Sequence, residues 1–403
     1  MTQVTGGVCA AKGFKAAGVH CGIRKNKSKK DLALIFSEQK CTAACVYTQN
    51  LVKGAPLIVT KSNLVNGVAQ AIICNSGNAN TCNADGEQVA KMMCELVQKH
   101  LGIDKNDVVV ASTGVIGQPL SITPIANGMP ELVKGLGNYS FDAATAIMTT
   151  DTRVKEIAYS FEIGQKTCHI GGIAKGSGMI HPNMATMLVF ITTDVAISPS
   201  MLQSALSGNV KDTFNMISID GDTSTNDMVC VLANGMAGNA TIIDNDKDYD
   251  VFKKALNQVA TYLCREIARD GEGATKLLEC NVKGAKDKQN AKLIAKSVIG
   301  STLFKCAMFG KDANWGRILC AIGYSGAQLD VENVGVTLSS SAGSIEVCKN
   351  GSGVDFDEDK AKLILSEDEI VINISLKDGV HSATAWGCDL SYDYIKINGD
   401  YRT

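Results

Sequence analysis

A glycine-rich segment, Lys175-Gly-Ser-Gly-Met-Ile-His-Pro-Asn-Met-Ala-Thr186, runs directly into the apolar stretch Met187-Leu-Val-Phe-Ile191. That stretch reads as a buried strand, which commits this part of the chain to the interior of a sheet. At the junction a small residue, Ala185, is followed by a hydroxyl nucleophile, Thr186. One reading is structural: β-branched threonine suits the first residue of a strand. The other is chemical. If the chain cuts itself between Ala185 and Thr186, the freed α-amino group, with a pKa of about 7.7–8.0, supplies the base that a lone hydroxyl lacks.

Strand-like and helical stretches alternate along the rest of the chain. Val68–Cys74 reads as a strand that ends in the turn-rich Asn75–Asn80. Gly86–Leu101 carries Val89, Met93, Leu96, Val97 and Leu101 at helical spacing. Val108–Ala111 is a short buried strand that delivers the turn Ser112-Thr-Gly114. Ser198 and Pro199 suit the cap and first residue of a helix. Asp248–Arg269 lines up Phe252, Leu256, Val259, Leu263 and Ile267 on one side of a second helix. From about Glu279 the chain becomes strand-rich, with Val336-Thr-Leu338, Ile345-Glu-Val347 and Ile370–Ser375. The pattern is α/β or α+β. A length of 403 residues exceeds what one core usually organises, so two domains are expected, residues 1–280 and a smaller C-terminal one, 281–403.

Charge narrows the partners. Lys and Arg total 39 against 41 Asp and Glu, a net charge of −2 that recommends neither nucleic acid nor an anionic membrane. The one basic cluster, Lys25-Asn-Lys-Ser-Lys-Lys30, precedes the strand-like Leu32–Phe36 and reads as a solvated loop. The N-terminus lacks a basic-then-apolar leader, and no run of 18 apolar residues occurs. The 15 cysteines are odd in number and scattered, and Cys41 and Cys45 form a C-x-x-x-C without a second pair. Reduced, mostly buried thiols in a cytoplasmic protein follow. With five histidines and no close Cys pairs, a zinc site is not expected. Asp220, Asp222, Asn226 and Asp227 lack the order of a calcium loop and read as a polar turn. His181, beside Pro182, is taken as structural. No phosphate-binding G-x-x-x-x-G-K-[ST] motif is present.

The Lys175–Leu188 block resembles the self-cleavage signature of the ornithine acetyltransferase family, the glutamate N-acetyltransferases of arginine biosynthesis. Further blocks match in the family's order: Ala111-Ser-Thr-Gly-Val-Ile-Gly117, Thr149-Thr-Asp-Thr152, Asp220–Asp227, Asp270-Gly-Glu-Gly-Ala-Thr-Lys276 and the terminal Asn398-Gly-Asp-Tyr-Arg-Thr403. Gly77-Asn-Ala-Asn80 and Gly310–Gly316 also resemble family segments, as walls of the pocket. Six ordered blocks are specific where one glycine-rich stretch is weak.

The resemblance implies layered sheets sandwiched between helices and autocatalytic cleavage between Ala185 and Thr186. It makes Thr186 the nucleophile, and Thr113 with Gly114 the oxyanion hole. It makes Thr152, Lys175, Thr186, Glu272, Asn398 and Thr403 substrate contacts. Thr149 and Thr150 remain alternatives to Thr152, and the C-terminal tail closes over the substrate. The activity implied is transfer of the acetyl group from N2-acetyl-L-ornithine to L-glutamate through an acetyl-threonine, without cofactor. The cleaved α and β chains would remain together as a heterotetramer of two of each. Whether acetyl-CoA also serves as donor is left open. The rival reading is an aminopeptidase or amidase with the same N-terminal nucleophile, in which water takes the acyl group.

Overall fold

The computed structural model describes residues 1–181 and 187–399. Among them two sheets form. The first holds β1 (Thr2–Val4), β2 (Phe14–Val19), β3 (Leu32–Tyr47), β4 (Val68–Asn75), β5 (Val108–Ser112), β6 (Lys155–Ile163), β7 (Lys166–Lys175), β8 (Leu188–Thr193) and, beyond the short β9 (Ile217–Ser218), β10 (Met228–Ala233). The second unites β9 with β11 (Leu277–Ala285), β12 (Gly335–Ser340), β13 (Gly343–Lys349), β14 (Ser352–Gly353), β15 (Glu369–Ser375) and β16 (His381–Cys388). Their orders are β1-β6-β7-β8-β10-β3-β4-β5, with β2 beside β3, and β14-β13-β12-β15-β11-β16-β9.

The long β3 joins two halves of the first sheet. β4 pairs with Leu32–Phe36 and, past a register shift at the exposed polar residues Glu38-Gln-Lys40, with Cys41 and Thr42, while β10 pairs with Thr42–Tyr47. The two halves fold over one another, because Ile35, Ile72 and Val109 of one half share an apolar cluster with Phe190, Cys230 and Leu232 of the other. Strands in both halves are covered on both faces. On β5, Val109 and Ala111 enter this inner cluster, while Val108 and Val110 meet the helices Gly86–Leu101 and Ile122–Lys134. On β10, Cys230 turns inward, while Val229 and Val231 join the helices Pro199–Val210 and Lys247–Arg269. That double burial is why β5, β8 and β10 are uninterrupted apolar runs.

The cluster under helix Lys247–Arg269 continues into the second sheet through Leu278, Cys280, Ile370 and Ile372. Here Glu279, Asn281 and Lys283 alternate with the buried residues, as befits a sheet packed on one face only. The layers are therefore helices, two half-sheets, helices and a further sheet, matching the α+β arrangement expected. The boundary expected after residue 280 falls inside β11, and β9, from the expected first domain, supplies an edge of the second sheet.

Helix Gly86–Leu101 has the bounds read from its periodicity. The later helix begins at Lys247 because Asp246 caps it, its side chain accepting from the Tyr249 amide. Pro199 opens its helix as expected, although the Ser198 side chain caps nothing.

Candidate active site

β5 ends at Ser112, and the chain turns at Thr113-Gly114 against the loop Gly77–Asn80. Gly114 has φ +133°, and a Cβ there would collide with the backbone of Gly77 and Asn78, so only glycine fits. The turn is held firmly. The Thr113 amide donates to the Asn75 carbonyl (3.0 Å), and the Ser112 hydroxyl donates to Asn75 Oδ1 (2.6 Å). Asn226 then bridges to the other half-sheet. Its Nδ2 donates to the carbonyls of Ala79 (2.6 Å) and Ser112 (2.9 Å), and its Oδ1 accepts from the Thr81 and Thr225 hydroxyls. The turn read as merely polar thus fixes the geometry around Thr113. Among the described residues, neither the Thr113 hydroxyl nor the Gly114 amide has a partner, so both donors are available.

Lys175 ends β7 and is almost buried, yet it makes no ion pair among the described residues. Beneath it lies a chain of buried charges. Lys155 Nζ donates to Asp151 Oδ1 (2.7 Å) and to Asp270 Oδ2, and all three side chains are out of solvent. Asp151 also accepts from the Gly176 amide (2.7 Å) and the Thr149 amide (2.9 Å). Burial pushes the Asp151 carboxyl up, but Lys155 and Lys175 overcome this and hold it far below the ordinary carboxylate range. Burial likewise pushes Lys155 down, and Asp151 with Asp270 raises it above an ordinary lysine.

Asp270 carries the network onward. It accepts from the Thr152 amide and hydroxyl, and its own carbonyl accepts from the Ser177 hydroxyl (2.7 Å). The Glu272 amide donates to the Ser177 carbonyl (2.8 Å). Three segments far apart in sequence, around Thr152, Lys175 and Glu272, are thereby locked together. The Thr152 hydroxyl is spent on Asp270, which leaves its oxygen free only to accept. Thr149 bonds Asp151, and Thr150 bonds nothing among the described residues.

The Glu272 carboxylate lies against Gly178, where any side chain would strike it. Asn398, the last residue of helix Tyr392–Asn398, donates its Nδ2 to Glu272 Oε2 (2.7 Å). Thr403, Ala185 and Thr186 lie outside the described residues. Met187, the residue after Thr186, has its carbonyl held by the Met228 amide (2.9 Å), and Leu188 pairs with Lys175.

Two further buried groups border the site. Asp227 is forced well above the carboxylate range by burial, against the opposing pull of Ser224 and Lys175, and its Oδ2 has no partner among the described residues. The Cys74 thiol, one residue from Asn75, is raised by burial and partly offset by Lys175. Lys175 thus stands near both the Thr113 side and the Glu272 side. His181, read from sequence as structural, has its Nδ1 2.9 Å from the Ser218 hydroxyl, and burial with Lys296 pushes its pKa down to about 4. Among the described residues no three His, Cys, Asp or Glu side chains converge on a metal position. No described helix is long and apolar enough to cross a membrane.

Residues 15–403 match the model of the ArgJ family. The chain belongs to the ArgJ family. The arginine biosynthesis bifunctional protein ArgJ of Caldanaerobacter subterraneus is 50% identical over 405 residues, covering all of both chains. The ArgJ of Bacillus subtilis is 50% identical over 405 residues, covering 100% of this chain and 98% of its own. Among solved structures, the ArgJ of Bacillus halodurans aligns with 46% identity and a TM-score of 0.50, spanning 52% of this chain and 97% of that one.

Asp151, Lys155, Asp270 and Asn226 were not singled out as site residues from sequence. Asp151, Asp270 and Asn226 lie inside recognised blocks, but only Lys155, a lysine in an otherwise ordinary strand, carried no signal at all.

Proposed function

We propose that this ArgJ-family chain is a self-processing acetyltransferase that moves the acetyl group of N2-acetyl-L-ornithine to L-glutamate in arginine biosynthesis. The observation that carries the reading is the hydrogen-bond network that joins Thr152, Gly176 (the residue after Lys175), Glu272 and Asn398, and so brings together the segments of four residues that the family resemblance assigns to substrate. The unpaired Lys175 ammonium suits the carboxylate common to both substrates, and Glu272 suits the cationic side chain of ornithine.

In processing, Thr186 Oγ attacks the Ala185 carbonyl, the C–N bond breaks, and the hydroxyl proton passes to the departing nitrogen. Water hydrolyses the resulting ester and leaves chains 1–185 and 186–403. In turnover the new α-amino group takes the Oγ proton as Oγ attacks the acetyl carbonyl. Thr113 and Gly114 donate to the oxyanion, and ornithine leaves with the proton. The glutamate amine then attacks the acetyl-threonine, releasing N-acetylglutamate and restoring Thr186. The Bacillus halodurans chain, matched over 97% of itself, corresponds to 52% of this chain. The longer expected product, 218 of 403 residues, is about 54% of this chain, a comparable share that fits cleavage near the middle. The two products assemble as a heterotetramer, two of each.

The purified 42.5 kDa chain is expected as fragments of roughly 19.5 and 23 kDa, in proportion to residues 1–185 and 186–403. Thr186→Ala should stay intact and inactive. Complete cleavage of that variant, measured by mass spectrometry, would sink the autocatalytic account. In the processed enzyme glutamate should outcompete water for the acetyl group; predominant hydrolysis would favour the amidase reading.

A further inference from the structure

Met179, Ile180 and His181 form the arm that leads into residues 182–186. Met179 has φ +56°, a left-handed conformation that a side chain of its kind rarely adopts. No sheet holds this arm beyond one bridge between Ile180 and Thr223. Instead the segment Ser218–Thr223 grips it from one side. Asp220 Oδ2 accepts from the Met179 amide (2.6 Å) and Oδ1 from the Ile180 amide (2.9 Å). The Ile219 amide donates to the Ile180 carbonyl (2.7 Å), and the Thr223 hydroxyl donates to the His181 carbonyl (2.9 Å). On the far side of residues 182–186, Met187 is anchored by Met228 and β8 by its two neighbours.

The geometry points to Asp220 as a positioning residue for self-processing, fixing the arm Met179–His181 from which the chain runs on to the scissile bond. This rests on the self-cleaving reading above. An intramolecular acyl shift depends on attack geometry, and small misplacements are costly. Only a carboxylate offers an acceptor to each of two adjacent amides, and its charge strengthens both bonds. Asparagine keeps the shape but presents an N–H to one of them. Asp220 also receives the Tyr394 hydroxyl (3.3 Å), but the C-terminal helix retains its separate tie from Asn398 to Glu272.

The test follows cleavage of freshly made full-length chain by mass spectrometry, beside acetylornithine–glutamate exchange normalised to the processed fraction. Asp220→Asn should accumulate precursor with processing slowed about tenfold or more, while retaining a cooperative melt and exchange per processed molecule within about threefold. Cleavage at the parental rate, or exchange per processed molecule lost as severely as processing, would overturn the inference. If Asp220→Asn does not fold, Asp220→Glu, which keeps the carboxylate but displaces it from the two amides by one methylene, carries the same comparison: persistent precursor supports the role, and parental-rate cleavage refutes it. A parental chain that never cleaves would instead remove the self-cleaving reading itself, whatever the variants do.

Discussion

Thr113 and Gly114 are paired by the fold but differ in what they donate, a hydroxyl and a backbone amide. Gly114 is irreplaceable for steric reasons, since its φ and the backbone of Gly77 leave no room for a side chain. Thr113 is replaceable in shape, so its chemistry can be tested alone. Thr113→Ala should lower kcat by about 10²–10³-fold, the usual loss for one oxyanion donor. KM should change far less, because the donor acts on charge that develops only in the transition state. Steady-state kinetics showing a raised KM with unchanged kcat would place Thr113 in ground-state binding instead. At this same scale lies Asp227, a buried carboxyl raised by desolvation and left with one oxygen bare among the described residues, which sequence alone offered no reason to separate from its polar neighbours.

Helix Tyr392–Asn398 buries none of its residues; its side chains reach the rest of the protein through Asn398 to Glu272, Tyr394 to Asp220 and the Tyr392 ring edge-on to Phe309. It contributes little core and so little stability, yet it ends at the candidate substrate carboxylate. Deleting residues 398–403 should therefore spare folding and self-cleavage, which needs no bound substrate. Exchange between acetylornithine and glutamate should fall by about tenfold or more, since transfer requires a held substrate and excluded water. Near-normal exchange by the truncated, processed protein would show that the end is merely frayed and remove Asn398 and Thr403 from the site.

At the scale of the whole molecule, Asp151, Lys155 and Asp270 link the start of β6 to the end of helix Lys247–Arg269 through charges with no access to water. A buried pair of this kind is costly to break, because the remaining charge is left uncompensated. Asp151 has a folded pKa below its unfolded value near 3.8. Its contribution to stability is thus present above about pH 4 and is lost as pH falls through that value toward the lower folded pKa. Thermal melts between pH 5 and 2 should show a steeper loss for the parental chain than for Asp151→Asn, although the variant should be less stable at pH 7. Parallel slopes would show that Asp151 is not the group responsible. The sequence by itself determined the local elements with strong periodicity, such as helix Gly86–Leu101 and the apolar strands at 68, 108 and 188, because side-chain spacing is a local property. It also determined the family, and with it the candidate nucleophile, through ordered blocks. Only the tertiary structure decided that the β3–β4 register shifts at Glu38–Lys40, that Asn226 clamps the turn before Thr113, and that Lys155 joins neighbouring Asp151 to distant Asp270. Asn226 and Ser112 are 114 positions apart and Lys155 and Asp270 115, and a buried lysine reads like a surface one until its far partner is brought to it by folding.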